Sequence, residues 1–328
     1  MSDALKRQMP PVRFVETNGV RMGLYEVCPG QGVPVVFCHG FPELAFSWRH
    51  QLRAFEKAGR WAIAPDQRGY GATSRPERIE DYDLEHLTGD LAGMLDALGV
   101  EKAIFCGHDW GGMVVWHMAM RHPDRVAGVI GVNTPFLPRG PMDPIAMMRA
   151  AMGEDMYIVW FQQPGVAEAV LGEDPERTMR FFMRRPGESL EDYMKRPPEE
   201  RTLGLREALR LYDAKNDPFQ FLTDDEIKAF AETFEETGFT GGVNWYRNFT
   251  RNWLASEGLK EHVPMPSLMV MAENDVVLSP AMAEGMEQYV PDLEKHLVRD
   301  SGHWTQQEKP EEVSRVILDW LSRRFPKG

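Results

Sequence analysis

Short apolar runs that end in polar or glycine-containing segments alternate with helix-patterned stretches over much of this chain, and that alternation limits its fold more than any other feature. Val33 to Cys38, Trp61 to Pro65, Ala103 to Cys106 and Val126 to Val132 have the continuous apolar character of strands buried on both faces of a parallel sheet. Helical patterns lie between them. The clearest spans residues 83–99, where Leu84, Leu87, Leu91, Met94, Leu95 and Leu98 recur at spacings of three and four behind Asp83, a residue suited to capping. Ser267 to Ala272 and Leu293 to Val298 add two more strands. A closing helix begins at Pro310 and aligns Val313, Val316, Ile317, Trp320 and Leu321 on one face. The pattern predicts an α/β fold with a mostly parallel central sheet flanked by helices.

Two segments depart from the alternation. Near the start, Asn18-Gly19 joins two alternating runs, the signal of a tight hairpin and an antiparallel edge. After Asn133, Pro135, Pro138, Pro141 and Pro144 open a long section without clear strands, broken at Pro164-Gly165, Pro175 and Pro186-Gly187 and rich in Met, Phe and Trp. The economical division is a core in two parts, 1–138 and 257–328, with an inserted helical cap over 139–256. An independent second domain is the alternative.

Composition excludes several function classes. A net charge of −13 with no basic stripe argues against nucleic acid as a partner. No apolar run approaches the length of a membrane span, and the first residues lack the apolar stretch of a secretory signal, so a cytoplasmic protein is expected. Cys28, Cys38 and Cys106 form no disulfide framework or CxxC pair, and the histidines show no metal-ligand spacing. Neither a metal nor another cofactor is implied.

The chemistry concentrates where the strand ending at Cys106 turns through Gly107-His108-Asp109-Trp110-Gly111-Gly112 into an apolar helical stretch. Flanking glycines permit a strained strand-to-helix turn that holds one side chain above the sheet, and Asp109 occupies that place. A carboxylate with an ordinary pKa of ~3.9 is ionised at neutral pH and needs no base to act as a nucleophile. Here the chain resembles the α/β-hydrolase superfamily, in those branches that attack carbon with an aspartate. His39-Gly40-Phe41-Pro42 then matches the superfamily's oxyanion turn, which makes the Phe41 and Trp110 amides the expected donors. His303, between the last strand and the closing helix, is the expected base. Asp275, at the end of the preceding strand, is its expected carboxylate partner, with Glu273 as competitor and Asn133 as a weaker, uncharged alternative.

Six segments extend the resemblance to the epoxide hydrolases of this superfamily: HGFPE at 39–43, DQRGYGATSRP at 66–76, GHDWGG at 107–112, two cap segments around Tyr157 and Tyr246, AENDVVLSP at 272–280 and GHWTQQEKP at 302–310. The resemblance implies that Tyr157 and Tyr246 hydrogen-bond and protonate an epoxide oxygen, and that a small epoxide and water are the partners of a detoxifying hydrolase. Phe41, Trp110, Trp160 and Phe161 are expected to line an apolar pocket. A homodimer is compatible with this reading. Haloalkane dehalogenases share the aspartate, a tryptophan after it and the base, but generally place asparagine where Phe41 stands. A non-catalytic binding protein of the same fold is the third reading.

Overall fold

The computed structural model describes residues 3–197, 200–201 and 203–327. Eight strands form one sheet: β1 (Val12–Thr17), β2 (Val20–Val27), β3 (Val35–Cys38), β4 (Ala62–Pro65), β5 (Ala103–His108), β6 (Val126–Val132), β7 (Ser267–Ala272) and β8 (Leu293–Val298), in the order β1-β2-β4-β3-β5-β6-β7-β8. β1 and β2 are antiparallel to each other, β2 is antiparallel to β4, and the remaining pairs are parallel. Asn18 (φ 43°) and Gly19 (φ 77°) both occupy the left-handed region between the paired Thr17 and Val20, which is the backbone of a type I′ hairpin. β3 begins two residues after Val33 because Pro34 lacks an N–H, and Val35 donates the first bond, to the Trp61 carbonyl at 3.1 Å. β5 runs two residues beyond Cys106 and ends immediately before Asp109.

β3, β4 and β5 are wholly buried, as their continuous apolar sequences require. Helices Arg49–Lys57 and Pro310–Arg324 pack on one another, as do Leu84–Leu98 and Trp110–Arg121. The strand order reverses direction about β3, so the carboxyl ends of β3 and β5 flank a crevice of the kind in which open α/β sheets bind ligands.

Between β6 and β7 the chain forms a succession of helices from Pro144 to Ala255. Helix Thr240–Arg247 lies directly on the loop after β4: a Cβ on Gly241 would fall 2.4 Å from the Gly69 carbonyl oxygen. The Trp245 indole donates to the Arg68 carbonyl at 3.1 Å. These contacts bring two backbones closer than any larger residue allows and fix the helical segment over the crevice.

Asp83 has two roles at this junction. Its carboxylate accepts from the His86 amide as the N-cap of helix Leu84–Leu98 (3.0 Å) and pairs with Arg251 of helix Phe249–Ala255 (2.7 Å). Asp83→Ala is therefore expected to lower stability by about 1–2 kcal/mol, chiefly through the lost cap. A urea titration reads this as a lower midpoint; an unchanged midpoint would mean that neither contact contributes.

Candidate active site

Asp109 stands at the β5–helix turn with φ 52° and ψ −122°, a backbone conformation that non-glycine residues rarely adopt. The turn is feasible because its neighbours are glycines. A Cβ on Gly107 would lie 2.1 Å from the Gly111 carbonyl oxygen, and one on Gly111 would lie 2.1 Å from the Cys38 carbonyl oxygen. The second contact brings the start of helix Trp110–Arg121 against the end of β3, and therefore against the His39–Pro42 turn. There the Phe41 amide donates to Asp109 Oδ1 at 2.8 Å, and the Trp110 amide also donates to this carboxylate. Thr134 Oγ1 holds the Asp109 carbonyl at 2.8 Å. Burial pushes the Asp109 carboxyl above its ordinary range, while His303, His108 and the two amides oppose that shift.

His303 lies with Nε2 3.7 Å from Asp109 Oδ2 and Nδ1 2.8 Å from Asp275 Oδ2. The short second contact assigns the Nδ1 proton to the Asp275 side and points Nε2 at Asp109. Asp275 is itself fully enclosed. Oδ1 accepts from the Val277 and Leu278 amides (2.9 and 3.0 Å), and Oδ2 accepts from Asn133 Nδ2 at 2.6 Å. Burial works against its charge, but His303, the backbone amides and Asn133 prevail and hold the carboxyl well below its usual range. Burial likewise disfavours imidazolium at His303; the Asp275, Asp109 and Glu43 carboxylates outweigh it and push the ring up to about 9. Glu273, the competing carboxylate, turns instead toward Arg299 and the Asp300 amide.

Helices Tyr157–Trp160 and Thr240–Arg247 bring Tyr157 and Tyr246 together, their ring centroids 5.7 Å apart. Arg247 ties these helices: its Nε donates to the Phe161 carbonyl at 2.9 Å and its guanidinium pairs with Glu168. Burial pushes both phenols above their usual range, so each retains its proton as a donor at neutral pH. The Trp110 ring packs edge-on to Tyr246, centroids 5.2 Å apart, which fixes the second phenol beside the first.

A cavity of about 270 Å³ has Asp109, His303, Asp275, Tyr157, Tyr246 and Phe41 in its wall, with Phe181, Phe182, Leu203, Leu205, Val276, Val277 and Trp304 providing most of its apolar surface. Three expected lining residues are absent from that wall among the described residues. Trp110 packs against Trp245, Tyr246 and Phe249, and Phe161 packs edge-on to Phe41, Tyr157 and Tyr246; both support the wall from behind. Trp160 is buried beside Phe161 in the same layer. Trp160 ends, and Phe161 follows, the four-residue helix Tyr157–Trp160, of which only Tyr157 reaches the cavity wall.

A buried polar group beneath the site has no signal in any local motif. Glu43, in the residue after Pro42, accepts from the Gly40 amide (2.7 Å), from Gln306 (2.8 Å) and from His108 Nδ1 (2.7 Å). His108 Nε2 donates to the His303 carbonyl at 2.6 Å. One pair thus joins the His39–Pro42 turn, β5 and the loop that carries His303. Although burial favours its protonation, Glu43 is held below its usual range by His108 and the surrounding donors. Among the described residues, no cluster of His, Cys, Asp and Glu is arranged to hold a metal ion, and no helix is long and apolar enough to cross a membrane.

The fold and this arrangement define a hydrolase class, and comparison with known proteins agrees. A family model described as the alpha/beta hydrolase fold matches residues 33–310. Epoxide hydrolase A of Mycobacterium tuberculosis is 42% identical over 95% of this chain and 98% of its own. Bifunctional epoxide hydrolase 2 of Sus scrofa is 41% identical over 92% of this chain and 53% of its own. The crystal structure of Epoxide Hydrolase A from Mycobacterium thermoresistibile superposes with a TM-score of 0.84 at 42% identity, covering 95% of this chain and 98% of that one. The chain belongs to the epoxide hydrolase family of the α/β-hydrolase fold.

The elevated proton affinity of His303 depends in part on the Asp109 charge. In Asp109→Asn the ring should titrate at lower pH than in the wild type, as NMR of the imidazole protons will measure. An unchanged titration would show that the two groups do not interact.

Proposed function

We propose that this protein hydrolyses an epoxide to a vicinal diol in two covalent half-reactions. The carrying observation is one cavity wall that presents a buried carboxylate, Asp109, together with two neutral phenols, Tyr157 and Tyr246. In the first step an Asp109 oxygen attacks an oxirane carbon, the ring C–O bond breaks, and its electron pair goes to the oxygen, which takes a proton from the phenol pair. Ring opening otherwise yields an alkoxide, so a fixed proton donor lowers the barrier directly. The product is a neutral hydroxyalkyl ester on Asp109.

Esterification removes the Asp109 charge. One of the interactions that favour imidazolium at His303 then disappears, so the ring gives up its proton more readily and its neutral form, the one that can take a proton from water, becomes more populated. Asp275 holds the ring in orientation, and the attacking water places negative charge on the ester carbonyl oxygen, where the Phe41 and Trp110 amides form the oxyanion hole. Collapse of this intermediate breaks the ester C–O bond; the departing diol oxygen takes the proton of the newly added hydroxyl, which restores Asp109 as a carboxylate, and the proton on His303 returns through solvent to the phenolate left by ring opening. The helical segment 139–256 acts as the cap that supplies both phenols and closes the apolar pocket. The reaction requires no cofactor, and its partners are a small epoxide and water in a cytoplasmic setting.

Halide displacement by the same aspartate is the second reading. A halide leaves as a stable anion and needs converging N–H donors, whereas here the cavity wall presents two phenols, does not include Trp110, and has at Phe41 a side chain with no donor. Assaying styrene oxide beside 1-bromobutane separates the two: diol without bromide release is expected, and bromide release alone would contradict the proposal. Replacing Tyr157 and Tyr246 together by phenylalanine should slow ring opening by at least about 100-fold, measured as adduct formation under single-turnover conditions. Unaltered ring opening would remove both phenols from the mechanism.

A further inference from the structure

The loop carrying His303 is clamped by a side chain that the reaction scheme does not use. Glu308 lies in the short helix Thr305–Glu308 and is only 7% exposed. Its Oε2 accepts from the Gly302 amide at 3.0 Å, and its Oε1 accepts from the Trp304 amide at 3.0 Å. The two oxygens of one carboxylate therefore bind the backbone on either side of His303. We propose that Glu308 is a positioning residue for the base, setting where the imidazole stands relative to the Asp109 ester.

Helix capping accounts for only half of this geometry. A carboxylate that accepts from Trp304, the residue preceding the helix, closes its first turn, and one oxygen suffices for that. The bond to Gly302 lies beyond the helix and serves only the loop. The loop's other ties do not use these two amides. The loop leaves β8 through Asp300, whose φ is 49°, and its remaining polar ties include the Ser301 carbonyl to the Asn274 amide (2.9 Å) and the Gly302 carbonyl to Thr305 Oγ1 (2.8 Å). The His303 carbonyl is held from below by His108 and Asn133, but these bonds leave the flanking amides to Glu308.

The consequence falls on one half-reaction. Ring opening uses Asp109, fixed by the β5 turn, and the phenols, fixed by the cap helices; Glu308 hydrogen-bonds none of these. Ester hydrolysis uses His303 Nε2, and small misplacement of a reacting group is costly in rate. Glutamine at 308 keeps the size of the side chain but presents an NH2 group to one of the two amides, so one bond of the clamp is lost and the loop can shift.

The assignment rests on the epoxide reading above and is tested by mixing excess enzyme with styrene oxide, quenching at intervals and following the Asp109 adduct by intact mass and the diol by chromatography. For Glu308→Gln, adduct formation should stay within about twofold of wild type while adduct decay slows about tenfold, one clamp bond's contribution to the second barrier. Should that variant not fold, Glu308→Asp, which keeps the charge but shortens the reach, must show the same selective slowing. A purely structural role predicts a smaller adduct amplitude with an unchanged decay constant, or equal slowing of both steps; either result overturns the assignment, as does wild-type decay in the variant. A wild-type enzyme that forms neither adduct nor diol would overturn the epoxide reading itself, and this assignment with it.

Discussion

Asp109 can face the cavity only because the chain reverses from β5 into a helix within a single residue whose backbone lies in an unfavourable region. Such a conformation costs about 1–3 kcal/mol, and the surrounding structure must impose it. Two glycines make it feasible, and the close approach of Gly111 to the end of β3 has a second effect. It brings the helix N-terminus and the His39–Pro42 turn to the same point, so that amides from two separate segments, Phe41 and Trp110, converge on one carboxylate. Anionic charge there is favoured both by these donors and by the helix dipole. The strain and the electrostatic preorganisation are therefore products of the same contact.

The remaining polar groups keep this arrangement rigid. Glu43, His108, Asn133, Asp275 and Glu308 are all buried; the last four bond the loop that carries His303, and Glu43 joins His108 to the His39–Pro42 turn. Unpaired, any of them would carry a heavy desolvation penalty; paired, they leave few alternative conformations for the loops at the sheet's carboxyl edge. The helices between β6 and β7 contribute at longer range. Glycine-to-glycine contact at Gly69 and Gly241 allows helix Thr240–Arg247 to approach the core closely enough for Tyr246 to enter the wall that holds Asp109.

What the sequence reveals divides along physical lines. Strands β7 and β8, the type I′ turn at Asn18-Gly19, the Asp83 cap and the Pro310 helix start are local features, each recorded in the residues that form it. The positions of Asp109, His303 and Asp275 could be anticipated because strand ends and the turns after them carry a distinctive residue order. The pairing of Glu43 and His108 is not legible locally: they are 65 residues apart, and nothing in either segment records the other. From its place at a strand end Asn133 reads only as an uncharged substitute for the acid, whereas in the fold it donates to Asp275 and to the His303 carbonyl. Trp160 and Phe161 differ from Tyr157 only in their rotation around a one-turn helix, and an aromatic-rich segment does not state which residue faces the cavity.

The central claim is that a protein carboxylate becomes bonded to carbon during each reaction cycle. The most direct measurement is a single turnover with enzyme in excess in water enriched in oxygen-18. The account predicts that the diol from this first turnover contains no heavy oxygen, its new hydroxyl oxygen having come from Asp109, and that the label appears in the peptide containing Asp109. Heavy oxygen in the diol, with an unlabelled peptide, would mean that water attacks the ring directly and would contradict the account.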